Sequence, residues 1–112
     1  MKYNLGRVLV LFLALSVIQP VFAGFDEGLA AAKKGDYATA LKEWRPLAER
    51  GDANAQYNLG VMYHSGQGVT QDYRQAVVWW RKAAEQGLAA AQHNLGGMYD
   101  TGKVLPRTID RP

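Results

Sequence analysis

The sequence predicts an all-α protein: a short right-handed α-solenoid of antiparallel helix pairs, behind an N-terminal signal peptide. Five helices are expected, in about two and a half repeats. Three observations predict this. The run Ala55-Gln56-Tyr57-Asn58-Leu59-Gly60, with Met62 and Tyr63, recurs 36 positions later as Ala91-Gln92-His93-Asn94-Leu95-Gly96, with Met98 and Tyr99. Stepping back 36 positions from the run Asp72–Gly87 brings Asp36-Tyr37, Ala40, Trp44-Arg45, Ala48-Glu49 and Gly51 into register. Beyond the leader, no alternating apolar-polar run suggests a strand. A fixed period of this length marks a stacked array, because each unit needs its neighbour to bury its apolar face.

Residues 1–23 read as a signal peptide. Lys2 and Arg7 precede an apolar run from Val8 to Ile18, and Val21-Phe22-Ala23 presents residues suited to cleavage between Ala23 and Gly24. The alternative is a retained membrane anchor, but the run is shorter than the ~20 residues a spanning helix needs. No cysteine follows it to carry a lipid. A secreted or periplasmic protein, with no stable membrane span after cleavage, is the expectation.

Removing Lys2 and Arg7 from the 13 basic residues leaves the mature chain close to electroneutral against its 10 acidic ones. Such a chain lacks the basic footprint nucleic acid requires. The absence of cysteine means that packing, not disulfides, must hold the fold in an oxidising compartment.

Residues 24–51 form a degenerate first unit. A helix over Phe25–Lys34 carries Asp26 and Glu27 in its first turn, where the helix dipole favours acids. Gly35 breaks it and Asp36 caps the next helix, Tyr37–Arg50. Tyr37, Ala40, Leu41, Trp44, Leu47 and Ala48 give that helix one apolar stripe, and Pro46 is expected to bend its last turn. Gly51 closes it in the left-handed conformation.

Residues 52–87 form the complete unit. Asp52 starts a helix over Ala53–His64 that carries two apolar stripes. Ala55, Leu59, Met62 and Tyr63 lie on one side; Tyr57 and Val61, ending at His64, lie on another. Two stripes fit a helix that packs on a partner and also lines a usable surface. Gly60 costs about 1 kcal/mol in a helix interior, so close approach of the paired helix is its expected reason. After the loop 65–70, Asp72 and Gln75 form a capping box for a helix buried through Tyr73, Ala76, Val77, Trp80 and Ala84, and closed by Gly87.

Residues 88–112 form a partial unit lacking its second helix. Ala89–Asp100 repeats the earlier first helix, but Leu88 stands where Asp52 supplied a cap, so its start should be weaker. Leu95, Met98 and Tyr99 are expected to lack their regular partner. The uncapped helix could be covered by another molecule, a second copy included, or mark a truncated remnant, since about three repeats are usually needed for stability.

The unit Ala55-Gln56-Tyr57-Asn58-Leu59-Gly60-x-Met62-Tyr63, Gly66-x-Gly68-Val69, Asp72-Tyr73, Ala76, Trp79-Trp80, Ala83-Ala84, Gly87 resembles the Sel-one-like repeat family, a relative of the tetratricopeptide repeat. The resemblance implies a solenoid whose first helices line a concave face, and a role as an adaptor that gathers other proteins. It places Leu59, Gly60, Tyr63, Tyr73, Ala76, Trp80, Ala84, Gly87, Leu95, Gly96 and Tyr99 at structural positions. It also places Tyr57, Val61 and His64, then His93, Gly97 and Asp100, along the concave line. Asn58 and Asn94 match an asparagine that in peptide-binding tetratricopeptide domains bonds the ligand backbone, while Asp26 holds that place in the first unit. The candidate partner-binding residues are therefore Tyr57, Asn58, Val61, His64, His93 and Asn94.

Plainer roles stand beside these. Either asparagine can instead bond a neighbouring helix. Trp80, aligned with Trp44, reads as core, and Trp79 as a flank residue set against the adjacent unit. His64 and His93 have no third ligand, so no metal and no cofactor is expected. Ser65, the one serine after residue 23, has no Ser-x-x-Lys partner, so no catalytic residue is assigned and the chain is not read as an enzyme. A cysteine-rich secreted branch of the family is described as penicillin-binding with β-lactamase activity. A β-lactamase-like or cell-wall hydrolase is thus the alternative function, but this chain has none of that branch's paired cysteines.

Overall fold

The computed structural model describes residues 23–104, and the predicted signal peptide apart from Ala23 lies outside them. Five helices follow in order: α1 (Ala23–Lys33), α2 (Tyr37–Glu49), α3 (Ala53–Ser65), α4 (Tyr73–Glu85) and α5 (Ala89–Asp100). No strand occurs among the described residues. Consecutive helices pack on one another, α3 with α4 most extensively. The result is the antiparallel solenoid the repeats predict.

The boundaries follow from local chemistry. Asp36 accepts from the Thr39 amide at 3.2 Å and Asp52 from the Ala55 amide at 2.8 Å, so α2 and α3 begin on side-chain caps. Asp72 accepts from the amides of Arg74 and Gln75 at 3.0 and 3.2 Å. The capping box is only half made, because the Asp72 amide donates instead to the Tyr63 carbonyl at 2.9 Å. Leu88 gives α5 no side-chain cap. Pro46 sits inside α2 on its exposed side, and the helix runs past it to Glu49.

Two apolar clusters replace a single core. The first gathers Ala31, Ala40, Trp44, Leu47, Ala48, Ala55, Leu59 and Met62, and takes in Trp79 from α4. The second joins Ala76, Val77, Trp80 and Ala83 to Ala91 and Met98. Trp79 thus packs back onto the preceding unit, as its flank position predicts.

Three polar contacts recur from one unit to the next. Trp44 Nε1 donates to the Phe25 carbonyl and Trp80 Nε1 to the Tyr57 carbonyl, both at 3.1 Å. Gln56 and Gln92 donate to the carbonyls of Ala48 and Ala84, both at 3.1 Å. Arg45 donates to the Tyr63 hydroxyl and Arg81 to that of Tyr99. Each bond ties a helix to its neighbour, so the repeat is a repeat of contacts as well as of residues.

α5 is less bare than its sequence suggests. Met98 is buried against α4 and Tyr99 is held by Arg81. Those residues face back toward the preceding helix, where a partner exists. The loss falls on Gln92, exposed where Gln56 is buried, on Leu95, half-buried where Leu59 is fully buried, and on Gly96, exposed where Gly60 is buried.

Candidate functional site

A groove of about 430 Å³ runs between α3 and α5, with α4 beneath it. Tyr57, Val61 and His64 project from α3 into one wall because their spacing returns them to one face of the helix. His93, Asn94, Gly97 and Met98 of α5, with Thr101 just after it, form the opposite wall. Trp80 lies under both, and Lys103 closes one end from the turn after α5.

Aromatic rings concentrate on the α3 side and the floor of the groove. His64 stacks at a tilt against Tyr73 at 5.3 Å and Trp80 at 5.6 Å between ring centroids. Partial burial, aided by the nearby Lys103 charge, holds the His64 imidazole below its ordinary pKa, so it is neutral at pH 7. Lys103 Nζ sits 5.1 Å from the Tyr73 ring centroid and is the cation at that end of the groove.

Of the six residues the sequence singles out, five line this groove: Tyr57, Val61, His64, His93 and Asn94. Asn58 does not. It lies about 100° further round α3 from Tyr57, and among the described residues its side chain has no hydrogen bond. Asn94 Nδ2 donates to the Tyr57 hydroxyl at 3.3 Å, bridging the two walls. One amide hydrogen and the carbonyl oxygen of Asn94 are left over for a ligand. On the concave line, Gly97 lines the groove and Asp100 does not.

Sequence reasoning missed four contributors. Trp80 is core by burial, at 3% exposed, yet its edge forms the groove floor. Met98 reads as packing alone. Thr101 caps the end of α5, and Lys103 reaches the groove after Gly102, at φ +71°, turns the chain as Gly66 does after α3.

No cluster of three His, Cys, Asp or Glu side chains occurs among the described residues. Ser65 is exposed at the end of α3, outside the groove lining. No helix of the described residues is long and apolar enough to cross a membrane.

Antiparallel packing of five helices and contacts that recur from unit to unit define an α-helical repeat protein. Residues 53–88 and 89–111 each match the Sel1 repeat, together more than half of the chain, and the protein belongs to the Sel1 repeat family. Sel1 repeats are generally protein-interaction modules, and their fold is typically a scaffold rather than an enzyme. A protective antigen of uropathogenic Escherichia coli with this repeat fold superposes at a TM-score of 0.69 and 38% identity, covering 74% of this chain and 18% of the antigen. A Sel1 repeat protein from Oxalobacter formigenes gives 0.63 and 33%, covering 71% and 36%. An uncharacterised protein of Neisseria meningitidis serogroup B is 54% identical over 35 residues, 31% of this chain and 8% of that protein. The chain thus spans a minor part of each of these relatives.

Proposed function

We propose that this chain is a secreted or periplasmic adaptor whose groove between α3 and α5 holds an extended segment of a partner protein. The observation that carries this is the Asn94–Tyr57 bridge within an aromatic channel. The remaining amide groups of Asn94 suit a peptide main chain, and the rings of Tyr57, His64 and Trp80 suit an apolar side chain beneath it. Lys103 at one end favours an acidic residue there. Export rests on the leader at 1–23; cleavage after Ala23 would remove one residue of α1.

The test uses Gly97. It lines the groove, is exposed, and a Cβ added there meets no atom within 4 Å. Gly97→Leu therefore plugs the channel without straining the helix. A crosslinked pull-down from cell envelope should capture a partner with the wild type and lose it with Gly97→Leu. Equal capture by both proteins would reject the groove as the binding face.

A further inference from the structure

We propose that the groove between α3 and α5 is a pH-sensitive clamp for an acidic segment, which its two histidines grip more tightly as the solution is acidified. This rests on the reading of the groove as a peptide channel, and adds the chemistry of what it takes and when.

The chain has two histidines, and both line this one groove, from opposite walls. Neither recurs with the repeat: Tyr57 stands where His93 does in the preceding unit, and Asp100 where His64 does in the following one. Lys103 adds a fixed positive charge at one end, exposed, with its Nζ 5.1 Å from the Tyr73 ring centroid. No aspartate or glutamate is among the lining residues. The ionisable lining is thus Tyr57, His64, His93 and Lys103. It can gain positive charge and, since a tyrosine stays neutral until about pH 10, offers no negative charge near neutrality.

The other charged groups of the flanking elements are turned elsewhere. Asp72, at the start of α4, accepts from the amides of Arg74 and Gln75 at 3.0 and 3.2 Å. Asp100, at the end of α5, is exposed and outside the lining. Of the cations on α4, Arg74 and Arg81 line a separate hollow with Val78, and Lys82 lies over Trp79. His64 meets Tyr73 and Trp80 from α4 and the Lys103 charge from beyond α5. It therefore gains a proton against burial and against a like charge, with no carboxylate to offset either. An acidic side chain laid in the groove supplies that carboxylate. It pairs with Lys103 and favours the charged form of each imidazole. By linkage, a ligand that favours protonated histidines is bound more tightly where they are protonated. Affinity is therefore weakest above the ordinary histidine value of about 6.5 and rises as pH falls, until the ligand's own carboxylates protonate near pH ~4.

The probe is a short capped peptide alternating aspartate with leucine, titrated into the full chain by calorimetry at about pH 7.5 and about pH 5.5. A copy with asparagine for every aspartate is the control, and circular dichroism at both pH values confirms that each protein is folded. The aspartate peptide should bind about fivefold or more tightly at the lower pH. Its binding should also take up protons, read as a heat that changes with the ionisation enthalpy of the buffer. The asparagine peptide should bind more weakly, with little change between the two conditions. His64→Gln combined with His93→Gln should bring the two affinities of the aspartate peptide within about twofold of each other. Lys103→Gln should weaken that peptide at both pH values. Gly97→Leu should abolish binding of both peptides. Equal binding of the two peptides, or of the aspartate peptide at the two pH values, would overturn the proposal. If Gly97→Leu still abolished that binding, the groove would stand as a peptide channel without the acidic preference. Binding that survives Gly97→Leu would reject both readings. No saturable binding of either peptide at about 1 mM would overturn the clamp, and the envelope pull-down would then decide the channel by itself.

Discussion

Trp80 and Gly60 fit each other as ring and gap: a Cβ on Gly60 would come within 2.4 Å of the Trp80 indole. The same relation holds between Trp44 and Gly28, and no ring meets Gly96 among the described residues. The three glycines should therefore respond in opposite directions to one methyl group. At Gly60, overpacking costs about 1–3 kcal/mol and the helix-propensity gain returns about 1, so Gly60→Ala should destabilise by up to about 2 kcal/mol. At Gly96 only the propensity gain acts, so Gly96→Ala should stabilise by up to about 1 kcal/mol. Urea unfolding of the two variants checks this. A shift of the same sign in both would show that the indole contact is not what selects glycine.

The helix starts differ in a way that amide exchange can read. The Ala55 amide donates to Asp52 at 2.8 Å, whereas the equivalent Ala91 amide follows Leu88, which has no side-chain acceptor. The first-turn amides of α5 should exchange faster than those of α3, by about fivefold or more if a cap contributes about 1 kcal/mol. Asp52→Ala should bring Ala55 toward the rate of Ala91 and lower global stability by about 1 kcal/mol. Equal protection in the wild type would mean that packing, not capping, sets the opening of these helices.

Much of this was legible in the sequence because the repeat supplies its own alignment. All five helices fall within two residues of their expected ends, and Trp79 and Trp80 take the faces their spacing predicts. The groove was legible where helical periodicity governs, as at Tyr57, Val61 and His64. It was less legible at Asn58, because family position says nothing of which neighbour a residue faces once helices pack on both flanks. Lys103 was hidden for another reason. It reaches the groove through a positive-φ turn at Gly102 after the helix, where no periodicity applies. Met98 and Tyr99 were expected to be bare because the next helix was missing, yet they face the preceding one.

The Arg81–Tyr99 bond is the polar link between α4 and the outer part of α5. Tyr99→Phe keeps the ring and removes the hydroxyl, so it isolates that bond. The loss should be about 1–2 kcal/mol, because a hydrogen bond to a charged donor exceeds a neutral one and Arg81 Nε is already buried without a partner. Tyr63→Phe should cost a similar amount through Arg45, whose Nη2 donates at 2.9 Å. Amide exchange should show the first loss in α5 and the second in α3. Loss spread evenly over the chain in both variants would mean that the units unfold as one.

His64 should make stability fall on mild acidification. Its imidazole is held below the ordinary value of 6.5, first by partial burial against Trp80 and Tyr73 and then by the Lys103 charge. A depressed folded pKa means that the unfolded chain binds the proton more readily. The contribution is therefore fully present above pH 6.5 and is lost as pH falls from there through the lower folded value, beneath which both states are protonated. Asp36 acts in a separate window. The Thr39 hydroxyl and amide hold its carboxyl below 3.8, so its contribution is present above that value and lost only in stronger acid. Melting temperatures of the wild type should decline between pH 7 and pH 5, with a flatter profile in His64→Gln. Because His64 is half-buried, the effect is modest, and a proton titration of its ring by NMR gives the sharper reading. A midpoint at or above 6.5 would remove this origin for the pH dependence.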